Sequence, residues 1–199
     1  MKPLLIGLYS PLPMSGKSTA AAALEGIGYE RLPFAGPLKR MVRSLLLDLG
    51  QSEDEVERAM TTEKEEPCIL LNSVTPRQLM QTLGTDWGRQ MVAADLWARA
   101  WKGRALTALG NGRSIVVDDL RFWNEAQAVA DFGGVVVRVL RPDGASSSFS
   151  DHASEGGLEF WPFDHTIVND GSIADLQQQI MRLHENLANQ PIINNVAAN

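Results

Sequence analysis

The feature that most constrains the fold of this chain is the stretch from residue 4 to residue 19. Residues 4–9 are almost continuously apolar, residues 10–16 are rich in Pro, Ser and Gly, and Gly16-Lys17-Ser18 opens an alanine-rich helix expected over residues 19–25. The first N–H groups of a helix have no partner within it, and the helix dipole favours anions at this end. The order of strand, loop and helix therefore predicts a phosphate-binding loop, or P-loop.

In a P-loop of this kind, the lysine contacts the β- and γ-phosphates of a nucleotide and the following hydroxyl is a ligand of Mg²⁺. These positions are Lys17 and Ser18 here. The usual pattern G-x-x-x-x-G-K-[ST] places its first glycine where this chain has Pro11, and proline has no N–H to donate. The alternative is a strand–turn–helix in which Gly16 serves only the turn. The residues predicted to contact the nucleotide are Met14, Ser15, Gly16, Lys17, Ser18 and Thr19.

The composition restricts the class of protein. Of the 199 residues, 44% are hydrophobic and 21% are charged, which is typical of a globular domain. The net charge of −6 argues against nucleic-acid binding. The single cysteine, Cys68, excludes a disulfide framework and fits a reducing compartment, and no apolar run has membrane-spanning length. We therefore predict a cytoplasmic protein without nucleic-acid or membrane partners, and leave open whether it forms a homodimer.

Predicted strands alternate with predicted helices along the chain. Apolar, β-branched runs predict strands over residues 4–9, 29–35, 114–119, 135–140 and 165–169. The intervening segments have helical spacing, except that residues 84–89 are expected to interrupt a helix because they contain two glycines. This alternation predicts a three-layer α/β/α fold of the P-loop NTPase class with a mostly parallel central sheet.

The domain organisation follows from the same pattern. Residues 1–188 are expected to form a single domain, and residues 189–199 a flexible C-terminal tail. Residues 143–162 are rich in Gly and Ser and have little predicted structure, which indicates a lid over the site or a mobile surface loop.

Charged residues stand where two predicted strands end. Asp118 and Asp119 end one strand and Arg121 follows them, while Arg141 follows another strand. Ligands of parallel sheets bind beyond the carboxyl ends of the strands, so these residues are expected to meet at the P-loop. A carboxylate there can hold Mg²⁺. Asp119 is the first choice for this role and Asp118 the second, although strands also end in Asp simply because a turn follows.

Arg77, Arg89, Arg121 and Arg141 each follow a predicted break in structure. The planar guanidinium group binds two phosphate oxygens at once, so these arginines predict a site for an acceptor phosphate. The alternative for any one of them is a surface salt bridge. A group of tryptophans, comprising Trp87, Trp97 and Trp101, is better explained by core packing than by stacking on a base, because Trp97 and Trp101 lie four apart on one helix face.

Several stretches, in order, resemble the deoxynucleoside monophosphate kinases of the bacteriophage type, within the P-loop nucleoside monophosphate kinases. The stretch Leu-Gly-Thr-Asp-Trp-Gly-Arg at residues 83–89 is the most specific of them. The others are Ser-Gly-Lys-Ser-Thr at 15–19, Phe-Ala-Gly-Pro-Leu-Lys at 34–39, Thr-Pro-Arg at 75–77, Asp-Leu-Arg-Phe-Trp-Asn-Glu at 119–125, His-Ala-Ser-Glu at 152–155 and Asn-Asp-Gly-Ser at 169–172. Together they extend over about residues 4 to 180.

The resemblance implies phosphorylation of a (deoxy)nucleoside 5′-monophosphate by ATP with Mg²⁺, and a lid that begins at Arg141. The residues assigned to catalysis are Lys17, Asp119, Arg121 and Arg141, and those assigned to the metal are Ser18 and Asp119. The residues assigned to the acceptor are Lys39, Arg77, Trp87, Arg89, Asp118, Arg121, His152 and Glu155. Two alternatives stay open: a P-loop kinase of another small acceptor such as dephospho-coenzyme A, and a nucleotide-binding regulatory protein without turnover.

Overall fold

In a computed structural model of the chain, which describes residues 2–142 and 157–189, the apolar run near the start is the central strand of a parallel sheet. The strands are β1 (Leu5–Tyr9), β2 (Glu30–Arg31), β3 (Ile115–Leu120), β4 (Val135–Leu140) and β5 (His165–Val168). Their order across the sheet is β2-β3-β1-β4-β5, and every neighbouring pair is parallel. The carboxyl ends of all five strands therefore lie at one edge.

The two faces of β1 are covered by different helices. Ile6 and Leu8 are fully buried in a cluster with residues of α1 (Lys17–Glu25) and α7 (Ile173–Ala188). Gly7 faces the other way, where a Cβ atom would lie 3.3 Å from Val129 in α6 (Trp123–Asp131). Helices on both faces of a parallel sheet confirm the predicted three-layer α/β/α fold.

The chain divides into two compact units. The sheet unit consists of Met1–Arg31 and Thr107–Asn199, and the helical unit of Leu32–Leu106. The helices that begin in the helical unit are α2 (Gly36–Asp48), α3 (Glu53–Met60), α4 (Pro76–Gln81) and α5 (Leu96–Gly110), together with a 3₁₀ turn at Ile69–Leu71 and a π-helix at Thr82–Val92. The core of the helical unit includes Leu38, Val42, Leu46, Val56 and Trp97.

Three helices, α3, α4 and α7, begin at residues whose side chains cap them. Ser52, Thr75 and Ser172 each accept a hydrogen bond from the backbone N–H three residues later. The side chain at that later position accepts a hydrogen bond from the backbone N–H of the capping residue, which completes a capping box. Such boxes are local, so the sequence is sufficient to locate them.

The structure contradicts the expected break at residues 84–89, which instead lie within the π-helix. Trp97 Nε1 donates a 2.8 Å hydrogen bond to the carbonyl oxygen of Gly84. A Cβ atom on Gly88 would lie 2.6–2.8 Å from three atoms of the Trp97 ring. Because the two glycines have no side chains, the Trp97 indole packs directly against the backbone of a helix that continues. In such a helix a glycine marks a close approach and not an end.

The second strand is shorter than predicted, because only Glu30 and Arg31 pair with β3. The residues after Arg31 instead pack against an aromatic side chain of the helical unit. Trp101 Nε1 donates a 2.8 Å hydrogen bond to the Leu32 carbonyl oxygen, and the ring of Phe34 stacks on Trp101 at 4.6 Å between centroids. Trp97 and Trp101 are both buried, which confirms their predicted place in the core, whereas the same prediction was wrong for Trp87, which is 39% exposed.

The predicted lid falls largely on residues 143–156, which lie outside the described residues, as do the C-terminal residues 190–199. Two of the described residues of this segment are buried, which differs from the expectation of little structure throughout residues 143–162. Leu158 is fully buried, and Trp161 contacts Trp123 edge-to-face at 4.8 Å between ring centroids. Among the described residues, no helix combines the length and the apolar character that crossing a membrane requires.

We expect Gly88→Ala to lower the free energy of unfolding by about 1–3 kcal/mol, since the new methyl group overlaps a buried ring. Gly103→Ala, in α5, is the matched control because a Cβ atom there meets nothing within 4 Å. Alanine is favoured over glycine inside a helix, so this control is expected to gain roughly 0.5–1 kcal/mol. Urea unfolding of both variants measures the difference, and equal stability of the two would contradict the proposed role of Gly88.

Candidate active site

The loop between β1 and α1 turns through left-handed backbone conformations. Gly16 has a φ of 102° and Met14 a φ of 52°. The first hydrogen bond of α1 runs from the N–H of Ala20 to the Gly16 carbonyl oxygen at 2.9 Å. The N–H groups of the intervening residues precede the first helical bond, so they are available to an anion. This is the local structure that a P-loop requires.

Residues that follow β4 and β5 hold this loop in place. Asn169 Nδ2 donates a 2.9 Å hydrogen bond to the carbonyl oxygen of Ser15, and Arg141 Nη1 lies 3.4 Å from the carbonyl oxygen of Met14. A Cβ atom on Gly16 would lie 2.6 Å from Leu176 and 2.7 Å from Asn169. Only glycine therefore fits at this position, because its backbone is left-handed and its neighbours are in contact.

A cleft of about 370 Å³ opens beside the loop. One wall is the loop and the start of α1, and the other comes from residues after β4 and β5. The lining residues of the two walls are Met14, Ser15, Gly16, Lys17, Ser18 and Thr19 on one side, and Arg141, Asn169, Gly171, Ile173 and Leu176 on the other. All six residues predicted to contact a nucleotide thus border one cavity.

The end of β3 brings a carboxylate to the start of α1. Ser18 Oγ lies 3.4 Å from Asp118 Oδ2, which is long for a hydroxyl hydrogen bond, and Arg31 Nη2 donates to the same oxygen. Asp118 is largely buried, with 10% of its side chain exposed. The carboxylate beside Ser18 is therefore that of Asp118, whereas the sequence favoured Asp119 for the metal.

This donor set suits Mg²⁺. The ion is commonly bound through one or two carboxylates together with waters and the phosphates of a nucleotide. Ser18 and Asp118 supply a hydroxyl and a carboxylate next to the phosphate-binding turn. In the described ranges no group of three or more His, Cys, Asp or Glu residues is placed to hold a metal alone. The residues present thus fit an ion that arrives with a nucleotide.

The charge of Lys17 is destabilised in the protein without nucleotide. Burial lowers the pKa of Lys17 to about 8 from its ordinary 10.5, and the positive charge of Arg121 acts in the same direction. Asp118 and Asp119 oppose this effect. A bound polyphosphate adds negative charge at this point and favours the protonated amine. The site is therefore electrostatically prepared for an anion.

Arg121 follows β3 in a turn that Glu125 holds. The Glu125 carboxylate is 4% exposed, and its Oε2 accepts hydrogen bonds from the N–H groups of Arg121 at 2.9 Å and Phe122 at 3.2 Å. The Arg121 side chain is exposed, yet its charge acts on Lys17. Within the sheet unit, Asp118, Asp119 and Arg121 therefore lie close enough to Lys17 for their charges to act on it.

The remaining acceptor candidates lie in the helical unit. Arg77 forms an ion pair with Glu65, and Arg89 Nη1 donates a 2.9 Å hydrogen bond to the carbonyl oxygen of Ala94. Lys39 is exposed, and Trp87 is 39% exposed with its ring 6.4 Å from that of Trp97. The other two candidates, His152 and Glu155, lie outside the described residues.

Three residues of the site were not singled out from the sequence. Arg31 contacts Asp118 from the neighbouring strand, Asn169 holds the P-loop, and Glu125 caps the turn that carries Arg121. Asn169 and Glu125 stand in stretches that carry the kinase resemblance, so that similarity was a signal for both. No pattern in the sequence marks Arg31, because its role depends on the pairing of β2 with β3.

The chain is similar to proteins that are already known. The sequence profile of the family described as deoxynucleotide monophosphate kinase matches residues 44–180. Among solved structures, TT1252 from Thermus thermophilus aligns with a TM-score of 0.49 and 18% identity, over 94% of this chain and 99% of that one.

Two viral relatives are similar in sequence. A protein of Acanthamoeba polyphaga mimivirus, assigned as a deoxynucleotide monophosphate kinase, is 30% identical over 184 residues, which cover 86% of this chain and 92% of that protein. The deoxynucleotide monophosphate kinase of Enterobacteria phage T4 is 32% identical over 105 residues, which cover 52% of this chain and 43% of the phage protein. The resemblance drawn from the sequence is thereby confirmed: the chain belongs to the deoxynucleotide monophosphate kinase family, a family of phosphotransferases.

Proposed function

We propose that the protein transfers the γ-phosphoryl group of ATP to the phosphate of a deoxynucleoside 5′-monophosphate. An oxygen of the acceptor phosphate bonds to the γ-phosphorus while the bond from that phosphorus to the β,γ-bridging oxygen breaks. The products are ADP and a deoxynucleoside diphosphate. The observation that carries this proposal is the meeting of Lys17, Ser18 and Asp118 at one edge of the sheet, in a chain of this kinase family.

The donor nucleotide occupies the cleft beside the P-loop. The N–H groups at the start of α1 bind its phosphates, and Lys17 neutralises the charge that builds on the β- and γ-phosphates as the bridging bond breaks. Arg141 lines the same cleft, where its guanidinium group contacts the nucleotide. These groups are already in position before the reaction starts, so the protein needs little reorganisation when charge develops on the phosphates.

Bound Mg²⁺ would offset the negative charge of the nucleotide phosphates. Ser18 and Asp118 would hold it, because they are the adjacent hydroxyl and carboxylate of the site. Asp119 carries negative charge close to Lys17 and helps to keep that amine protonated.

The acceptor phosphate is bound by arginines. Arg121 lies in the turn after β3, close enough to Lys17 for their charges to interact. Arg77 and Arg89, in the helical unit, are also proposed to bind the acceptor phosphate. Their present partners, Glu65 and the Ala94 carbonyl oxygen, would be exchanged for phosphate oxygens. The choice of acceptor is tested by measuring ADP release with a panel of deoxynucleoside and ribonucleoside monophosphates and with dephospho-coenzyme A.

We expect Lys17→Met to lower kcat by about 10²–10³-fold or more, since a donor aimed at the developing charge is lost. The same change is expected to raise the melting temperature at pH 7, because it removes a charge that burial disfavours. A variant with near wild-type kcat would contradict the P-loop assignment, and a variant that is unfolded at pH 7 would contradict the electrostatic account.

The stability gain of Lys17→Met is expected to depend on pH. In the folded protein the pKa of Lys17 is about 8, below the value of roughly 10.4 for an unfolded chain. The cost of the buried charge is therefore complete below pH 8 and disappears as the pH rises to about 10.5. Chemical unfolding of both proteins at pH 7, 8, 9 and 10 measures the difference. A constant gain would show that the titration of Lys17 is not its cause.

We expect Asp118→Asn to raise the Mg²⁺ concentration at half-maximal kcat more than Asp119→Asn does. Ser18 contacts Asp118, so its carboxylate is the one placed to share the ion. The measurement is a Mg²⁺ titration of kcat for both variants at saturating ATP. The reverse order would favour Asp119, the residue preferred from the sequence.

We expect Arg77→Ala to raise the KM for the acceptor about tenfold to a hundredfold, because a hydrogen bond to a charged group contributes roughly 1.5–3 kcal/mol. The KM for ATP should change little. Arg58→Ala is the matched control, since Arg58 is similarly exposed and pairs with Glu63 at 3.0 Å in the same unit. Equal rises in the KM for both substrates would make Arg77 structural.

A further inference from the structure

We infer that Arg31 is a positioning residue of the phosphoryl-transfer site, which fixes the carboxylate of Asp118 beside the Ser18 hydroxyl. This inference rests on the proposed function and adds a residue outside the P-loop and outside the stretches that resemble the kinase family. Arg31 does not line the cleft beside the P-loop. It is argued to act through Asp118.

The pairing of the strands places Arg31 next to Asp118. In the register of β2 and β3, Arg31 lies opposite Val116, two residues before Asp118. Its Nη2 donates to Asp118 Oδ2, the same oxygen that lies 3.4 Å from Ser18 Oγ. The pair is partly sheltered from solvent, with 33% of the Arg31 side chain and 10% of the Asp118 side chain exposed. Solvent therefore screens it less than a fully exposed pair.

A second contact ties Arg31 to the helix that starts at the P-loop. Arg31 Nη1 lies 3.6 Å from Oε2 of Glu25, the last residue of α1. Ser18 and Glu25 are seven residues apart, so they share a face of α1 and are separated by about 10 Å along its axis. One guanidinium group thus links the far end of α1 to the carboxylate that meets its near end.

This arrangement restrains the carboxylate in a way that its own strand cannot. The terminal torsion of an aspartate is broad, so Asp118 alone would sample several orientations. The fork of an arginine has a fixed geometry and selects one of them. The contacts of Arg31 with Asp118 and Glu25 thus keep the Asp118 carboxylate beside Ser18 before a nucleotide binds.

The neighbouring residue of the same strand provides a matched control. Glu30 precedes Arg31 in β2, and its Oε2 pairs with Arg113 Nη1 at 3.1 Å. Arg113 is 65% exposed, and neither it nor Glu30 lines the cleft beside the P-loop. Arg113→Gln therefore breaks an ion pair on β2 without reaching Asp118.

The kinetic test compares Arg31→Gln, Arg31→Lys and Arg113→Gln. We expect Arg31→Gln to lower kcat and raise the half-saturating Mg²⁺ concentration by about 10-fold to 100-fold, the range for residues that orient a metal ligand. The KM for the acceptor should stay within about twofold, since Arg31 does not contact that substrate. Arg31→Lys should recover part of the loss because it retains the charge. Arg113→Gln should match the wild type, and a loss equal to that of Arg31→Gln would overturn the inference.

A double-mutant cycle shows whether Arg31 acts through Asp118. If it does, adding Arg31→Gln to Asp118→Asn should change kcat and Mg²⁺ dependence by less than about twofold, because the carboxylate it orients is gone. Fully additive effects would overturn the inference. Thermal unfolding of every variant shows whether a loss of activity reflects a loss of folded protein. If Arg31 had only a structural role, the loss of activity would follow the melting temperature and would not depend on whether Asp118 is present.

Binding supplies a readout that does not need turnover. Titration calorimetry of ATP with Mg²⁺, and of ATP with EDTA, is carried out on the wild type, Arg31→Gln and Arg113→Gln. We expect Arg31→Gln to weaken the Mg²⁺ complex about tenfold and to leave metal-free ATP unchanged, whereas equal weakening of both would overturn the inference. If the wild type phosphorylates no acceptor of the panel, the proposed function fails, while these titrations still decide the role of Arg31.

Discussion

The geometry of the site depends on one left-handed turn at Gly16, between the central strand and the first helix. Its φ of 102° and the contacts that a Cβ atom would make with Asn169 and Leu176 leave room for glycine alone. This turn determines where α1 begins, and therefore where Lys17 and Ser18 stand relative to the carboxyl end of the sheet. Asn169 reinforces it through the hydrogen bond to Ser15. Because strand, turn and helix are consecutive in the chain, a short segment defines this corner of the candidate site.

The charges around Lys17 influence both the stability of the folded protein and its affinity for an anion at this corner. Lys17 is partly buried close to Arg121, an arrangement that lowers its pKa and costs stability while no anion is bound. Asp118 and Asp119 offset part of that cost. Such a site suits a protein that binds polyphosphates. The positive charge of Lys17 is unfavourable in the empty site and becomes favourable when a negatively charged ligand is bound. The acidic net charge of the chain is compatible with the proposed function, because Lys17 and Arg121 concentrate positive charge locally.

In the helical unit, the stretch that most resembles the kinase family has an evident structural role. Trp97 bonds to the carbonyl oxygen of Gly84 and lies against Gly88, so the two glycines are explained by packing. Arg89 bonds to the backbone five residues later. A short motif can thus be typical of a family because it packs a π-helix around one indole, and not only because it contacts a substrate. The Gly88→Ala comparison separates these contributions, since it reports on stability without an assay of activity.

The sequence by itself determined the elements whose causes are local. The strand–loop–helix order around Lys17, the capping boxes and the alternation of strands with helices follow from neighbouring residues, so they were predictable. Tertiary structure decided what depends on contacts distant in sequence. It ended β2 after Arg31, replaced an expected break with a π-helix, and buried Leu158 at the end of a polar segment. It also placed Asp118 beside Ser18 and Arg31, because the pairing of neighbouring strands, which no local pattern encodes, brings together residues distant in the sequence.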